Sequence, residues 1–287
     1  MTQFGNFQIE KGRNIDFQDV DMNFYHEYTA YLKEKNYSIN SIGKCIKELK
    51  TILRAAESEG YEVNPKYKDK KFKGTRIEVD SIYLTRDDLS KIMSADISKL
   101  SQGYDLARDI FMVGVWTAQR VSDYNNLSRE NIKQHRIPKI IDNKLVYKEF
   151  QTIEIRQKKT GSKVSVPVSS ELKSILERYD YQLPHLEDQV LNRYMKEICR
   201  LAGIDELIQI QTTKGGKAVK EFKQKWELVH SHTARRTGAT LMYLAGMDYY
   251  DIMRITGHTS PTMLKKYIKA DSIEVADKIT EKYSYFD

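Results

Sequence analysis

Residues 231–267 read SHTARRTGATLMYLAGMDYYDIMRITGHTSPTMLKKY. His232 and Arg235 lie three apart, Gly257-His258 follows, and Tyr267 stands nine residues after His258. These side chains suit attack on a phosphodiester. Arginine offers a planar fork of donors to phosphate oxygens. Histidine exchanges a proton near neutral pH. Tyrosine becomes a covalent nucleophile once a neighbour takes its proton. The punctuation predicts three helices. Ser231 or Thr233 caps a helix over ARRTGATLMYLA, which Gly246 ends. A second runs from about Tyr249 to Thr256 and stops at Gly257, which leaves His258 in a tight turn. Ser260-Pro261 opens a third, MLKKYIKA, expected to carry Tyr267. His232 and Arg235 then share a face at a positive helix start, where a phosphate can sit. Singly these residues say little, since the chain holds 19 tyrosines and a lone histidine is more often packed than catalytic. Their joint spacing carries the reading.

The stretch resembles the tyrosine recombinase (phage integrase) family, whose pattern is H-T-x-R-H-T-x-A-T, a glycine-containing helix end, L-G-H, and then Y. Residues 117–127, TAQRVSDYNNL, resemble the family's T-G-L-R-x-S-E-L box and put its first arginine at Arg120. Residues 155–168, IRQKKTGSKVSVPV, resemble the β-hairpin of the catalytic lysine and point to Lys159. The resemblance spans about residues 81 to 270 and is nearest in flavour to integrases of mobile elements such as conjugative transposons. Some positions depart from it: Ala118-Gln119 replace Gly-Leu, Asp123 replaces Glu, Arg236 stands where His is frequent, and Thr256 replaces Leu. Lys158 adjoins Lys159, and on a strand the two would face opposite ways.

The resemblance implies a mainly α fold with a small antiparallel β-sheet, in which a helical core-binding domain precedes the tyrosine-recombinase catalytic domain. It implies that Arg120 and Arg235 hold the scissile phosphate and offset charge developing in the transition state. His258 adds a hydrogen bond, His232 takes the phenolic proton, and Tyr267 forms a 3′-phosphotyrosine. Lys159 protonates the departing 5′-oxygen. No metal or cofactor is expected. The implied partners are double-stranded recombination sites, bound by a homotetramer on two duplexes that is monomeric without DNA, with accessory DNA-bending proteins. Two other readings stay open: a type IB topoisomerase, which shares the chemistry without synapsis, and a catalytically silent DNA-binding regulator.

Composition agrees with a polyanionic partner, at net charge +7 and pI near 9.0. Two cysteines, Cys45 and Cys199, are too few for a disulfide framework and lack metal spacing. Cys45 falls in an apolar helical pattern and is expected in a core. No apolar run of membrane length and no signal-peptide core appears, so a cytoplasmic, nucleoid-associated protein is expected.

At 287 residues two domains are expected, 1–75 and 81–287, with a basic linker at about 66–80. Lys66, Lys68, Lys70, Lys71, Lys73 and Arg76 face one acid, Asp69, in eleven residues. That segment is either a solvated linker or a strap along DNA phosphates. Before it, helices are expected at Val20–Lys35 and at Ser38–Glu59, the latter with Ile39, Ile42, Ile46, Leu49, Ile52, Leu53 and Ala56 on one stripe. The stretch GNFQIEKG ahead of them supports no assignment. Many such integrases add an N-terminal domain for accessory arm sites, which these residues do not resemble. After the linker come a short strand at Ile82–Leu84, a helix opened by Thr85 and Asp88, and a helix from Asp105 to Ala118 that delivers Arg120. A hairpin is expected at Tyr147–Ile155 and Val164–Val168, and a second pair at Leu207–Thr212 and Glu221–Leu228. In the tail, residues 271–287, Val275, Ala276, Ile279 and Tyr283 form a stripe suited to joining protomers.

Overall fold

Ser38 accepts a hydrogen bond from Ser41 N and so starts α3, Ile39–Ser58. Asp21 does the same through Phe24 N for α2, Met22–Glu34. A further helix, α1, covers Gln3–Lys11, where the sequence supported no assignment. The computed structural model describes residues 3–101 and 103–282. They divide into two compact units, one reaching Asp80 and including Gln209–Phe222, the other holding the remainder.

In the first unit, Ile42, Ile46, Leu49, Leu53 and Ala56 of α3 are buried, whereas Ile52 is 56% exposed. Ile42, Ile46, Leu49 and Leu53 pack with Phe7, Phe24, Tyr28 and Leu32. Phe7 and Phe24 meet edge to face at 5.9 Å, and Phe24 and Tyr28 stack at 5.6 Å. Cys45 lies at the rim of this core rather than within it. The lysine-rich segment is not a free linker at its start. Tyr67 and Phe72 are buried in the same core. Pro65–Lys68 forms a short 3₁₀ turn capped by Asn64. Lys68 pairs with Glu57 at 2.6 Å. Gly43 and Gly74 cross closely: a Cβ on Gly74 would stand 2.2 Å from the Gly43 carbonyl oxygen. The ammonium and guanidinium groups of Lys66, Lys70, Lys71, Lys73 and Arg76 belong to exposed residues.

The second unit starts with Ile82 and Leu84, which are buried without forming a strand. Leu84 N donates to the Thr237 hydroxyl instead of a sheet partner. Thr85 and Asp88 then form the expected capping box of α4, Arg86–Ser94. Helix α5 spans Tyr104–Thr117 and ends at Ala118, a left-handed residue with φ 51°. Arg120 is the N-cap of the one-turn helix α6, Val121–Tyr124. Three antiparallel strands follow in the order β1 (Ile132–Ile141), β2 (Lys144–Arg156) and β3 (Lys163–Pro167). Ile132 pairs with Ile153, and Ile153 with Val166. Strand β1 and its turn at Asp142-Asn143 lengthen the expected hairpin into a ribbon. Helices α7 (Ser170–Arg178) and α8 (Asp188–Leu201) come next. Strands β4 (Leu207–Lys214) and β5 (Lys217–Gln224) pair around Gly215-Gly216. Residues 225–228, expected in a strand, form a 3₁₀ turn. The Gln209–Phe222 part belongs to the first unit, where the Thr213 hydroxyl accepts from Ile39 N.

The chain closes with α9 (Ser231–Leu244), α10 (Tyr249–Thr256), α11 (Pro261–Lys265) and α12 (Ser272–Lys282). Phe111, Val113 and Val115 of α5 pack in one core with Ala234 and Leu241 of α9, Leu191 and Ile198 of α8, and Ile153 and Val164 of the sheet. The α5–α9 approach is close: a Cβ on Gly238 would meet the Val115 carbonyl oxygen at 2.2 Å. The fold is thus mainly α with small antiparallel sheets, as expected.

Candidate active site

The start of α9 is capped by His230, not by Ser231 or Thr233. His230 Nδ1 accepts from His232 N at 3.2 Å. The Thr233 hydroxyl in turn accepts from His230 N. This fixes the first turn, so that Arg235 points inward and His232 lies at the exposed rim. Arg235 is fully buried. Its Nη1 donates to the Ala118 carbonyl at 2.9 Å and its Nη2 to the Thr256 carbonyl at 2.8 Å. Both acceptors are helix ends, and the left-handed turn at Ala118 aims the first of them inward. Burial, and then the charge of Arg120, push the Arg235 guanidinium down to about 10, which leaves it protonated at neutral pH.

Arg120 approaches from α6. Its Nη1 donates to Gln157 Oε1 at 3.1 Å. Asp123, the residue in place of the family's Glu, is buried, with Oδ2 3.9 Å from the same nitrogen. The other oxygen of Asp123 accepts from Lys158 N at 2.9 Å. That bond ties the lysine turn to the segment of Arg120. Lys158 and Lys159 lie in the turn between β2 and β3, not on a strand. Strand alternation therefore does not separate them. Lys159 is exposed.

His258 follows Gly257, which ends α10 in a left-handed conformation at φ 73°. It is 8% exposed, with Nδ1 2.7 Å from the Thr256 hydroxyl and Nε2 3.2 Å from Arg235 Nη2. Burial first, then Arg235 and Arg120, lower its pKa to about 3. His230 is lowered to about 4 by burial and then Arg236. His232 is lowered too, by desolvation and then by Arg236 and Arg235, although part of its ring meets solvent.

Tyr267 stands two residues beyond α11, which stops at Lys265, in the turn that follows and not on the helix expected there. Its ring packs 4.6 Å from the His258 ring, centroid to centroid. The Arg235 guanidinium carbon lies 5.2 Å from the ring centre. Arg120, Arg235, His258 and Tyr267 thus converge, His232 sits one turn from Arg235, and Lys159 rides on a turn tethered to Arg120's segment. Sequence reasoning did not single out His230 or Gln157. Gln119 and Thr256 were visible only as departures from an apolar pattern.

Among the described residues no group of three or more His, Cys, Asp or Glu side chains is placed to hold a metal. None of their helices is long and apolar enough to cross a membrane.

Comparison with solved structures finds the same fold widely. A lambda integrase dimer bound to a COC′ core site superposes with a TM-score of 0.62 at 17% identity, over 95% of this chain and 90% of that one. A lambda integrase tetramer bound to a Holliday junction gives 0.58 at 18% identity, over 94% and 72%. The Tn1549 transposon integrase in complex with a circular intermediate DNA gives 0.59 at 15% identity, over 98% and 91%. No curated protein sequence matches. The phage integrase SAM-like domain model matches residues 1–73, and the phage integrase family model matches residues 83–273. The chain belongs to the phage integrase family and is a tyrosine recombinase, an enzyme that breaks and rejoins DNA.

Proposed function

We propose that this chain recombines specific DNA sites through a 3′-phosphotyrosine at Tyr267, for integration and excision of a mobile element. One observation carries the reading: the Tyr267 ring is packed against both His258 and the buried Arg235. A scissile phosphate brought to that cluster would meet the guanidinium donors of Arg120 and Arg235 as negative charge develops. His232, neutral near pH 7, is suited to take the phenolic proton. Lys159 protonates the 5′-oxygen as it leaves. The free 5′-hydroxyl of a second strand then reverses the step, so the phosphodiester energy is retained.

The domain roles follow the same reading. The helical unit binds the core site, and the exposed Lys66, Lys68, Lys70, Lys71, Lys73 and Arg76 neutralise phosphates. Lys68 would have to exchange Glu57 for a phosphate. The lambda integrase tetramer bound to a Holliday junction supports a four-subunit assembly; the same reading has it act on two duplexes and come apart to monomers without DNA. The tail is the joint between them. Helix α12 has no buried residue, with Ile273 77% and Ile279 36% exposed. Val275 and Ala276 lie on it, while Tyr283 falls outside the described residues. Within its own unit the tail is held by Glu274 with Tyr83 and by Lys278 over the Tyr243 ring. Accessory DNA-bending proteins and action at the cytoplasmic nucleoid belong to the same reading.

The test uses duplexes that the protein selects from a random-sequence pool. Two labelled copies of a selected site should exchange strands. Relaxation of supercoiled plasmid without exchange would make the chain a topoisomerase, and binding without covalent chemistry a regulator.

A further inference from the structure

Gln157 is 1% exposed, at the end of β2 and next to the lysine turn. Its amide makes four hydrogen bonds. Nε2 donates to Gln119 Oε1 at 2.7 Å and to the Thr256 carbonyl at 2.9 Å. Oε1 accepts from Arg120 Nη1 at 3.1 Å and from the Thr160 hydroxyl at 2.8 Å. Two donors and two lone pairs are the full capacity of a carboxamide, so none is left unmet. The pattern also fixes which end is nitrogen, because the carbonyl of Thr256 can only accept and the guanidinium only donate.

The partners are not arbitrary. The Thr256 carbonyl that takes Gln157 Nε2 also takes Arg235 Nη2. One side chain therefore bonds Arg120 directly and the peptide that seats Arg235. Gln119 closes the arrangement: its Nε2 donates to the carbonyls of Thr117 and Ile255 at 2.9 and 2.7 Å. Gly257 leaves room for it, since a Cβ there would stand 2.6 Å from the Gln157 amide. Gln119 and Thr256 are two of the positions at which this chain departs from the apolar residues of its family's pattern. Gln119 enters this buried polar group through its side chain, whereas Thr256 contributes only its main-chain carbonyl, its hydroxyl being bonded to Ile252 and His258.

We infer that Gln157 is a positioning residue that holds Arg120 in register with Arg235. The inference rests on reading those arginines as the phosphate clamp. A buried network of this kind has low tolerance for a missing member. Loss of the amide frees the Arg120 side chain to swing, and misplacement of a charge-stabilising group by about 1 Å costs up to about 100-fold in rate.

The test compares Gln157→Met with the wild type on two versions of a selected site. One carries the ordinary scissile phosphate and the other a methylphosphonate, which lacks the non-bridging anionic oxygen that the arginines stabilise. On the phosphate, the variant should form the Tyr267 adduct at least about tenfold more slowly, with DNA affinity unchanged within about threefold. On the methylphosphonate the penalty should shrink to about threefold or less. Equal penalties on both substrates, or none on either, would overturn the inference. If Gln157→Met melts far below the wild type, the Gln119→Leu/Gln157→Leu pair, which removes both halves of the amide contact, is measured in its place against the same criteria. Failure of the wild type to form an adduct on the phosphate would instead refute the proposed function.

Discussion

Nη2 of Arg235 lies 3.2 Å from Nε2 of His258. A guanidinium only donates, so Nε2 must accept. The Thr256 hydroxyl gives its proton to the Ile252 carbonyl at 2.7 Å. It therefore accepts from His258 Nδ1, also at 2.7 Å. Both contacts are met by a neutral imidazole with its hydrogen on Nδ1. The same surroundings, a buried ring beside two guanidinium groups, hold His258 far below the ordinary histidine pKa. The phosphate hydrogen bond proposed for it thus requires either a proton or a change of tautomer when DNA arrives.

This arrangement fixes a pH dependence of stability. In the unfolded chain these histidines protonate near pH 6.5, whereas folded His258 stays neutral to about 3 and His230 to about 4. The unfolded state binds more protons in that interval, so stability falls as pH drops below about 6.5. Melting temperature should therefore decline from pH 7 to pH 5, above the range where carboxylates contribute most. The decline should be shallower in His258→Asn. Parallel melting curves for the two proteins would contradict the assignment.

The two arginines should separate on stability. Arg235→Ala removes the donor to the buried Ala118 carbonyl and leaves the Thr256 carbonyl with that of Gln157 alone. A loss of about 2–4 kcal/mol in urea unfolding is expected. The Arg120 side chain retains 15% exposure, and its removal should cost less. Both substitutions should slow cleavage by about 10²–10³, with far smaller losses of DNA affinity. An affinity loss as large as the rate loss would make them ordinary phosphate contacts.

What could be read from sequence followed the punctuation. Gly257 and Ser260-Pro261 set the end of α10 and the start of α11 within a residue. Strand β1 could not be read this way. IKQHRIPKII contains Pro138, and Ile137, Ile140 and Ile141 are all exposed, so no one-sided alternation marks it. The surviving signal was the turn, where Asp142 and Asn143 both take positive φ. Tyr267 was placed on a helix because KKYIKA is compatible with one. Tertiary bonds decided otherwise: the Thr240 hydroxyl donates to the Tyr267 carbonyl and accepts from Lys269 N. The arginine, histidine and tyrosine positions were legible from the motif, whereas their shared support, Gln157, had no spacing to announce it.

Lys159 and Lys158 differ in tether. Lys158 N is bonded to Asp123, and both side chains extend from the same turn. Lys159→Ala should lower the cleavage rate about 10²-fold or more, as loss of a general acid does. A 5′-bridging phosphorothiolate, whose leaving group needs little protonation, should restore it. Lys158→Ala should show neither effect. Rescue confined to the Lys158 variant would reverse the assignment.

Removal of residues 272–287 takes away α12, none of whose described residues is buried. Binding to a single site should persist within about threefold, while four-subunit complexes on paired sites and strand exchange are lost. Native gels and light scattering read both. Intact assembly by the shortened protein would leave the tail as a local packing element.

In the proposed reaction Tyr267 becomes covalently joined to DNA. Wild type and Tyr267→Phe are incubated with nicked duplexes of a selected site, denatured in SDS, and digested for peptide mapping. An SDS-stable adduct mapped to Tyr267 is expected in the wild type, and none in Tyr267→Phe, which still binds the duplex. An adduct at wild-type level in that variant, or one mapped to Tyr249 or Tyr250, would contradict the proposed reaction.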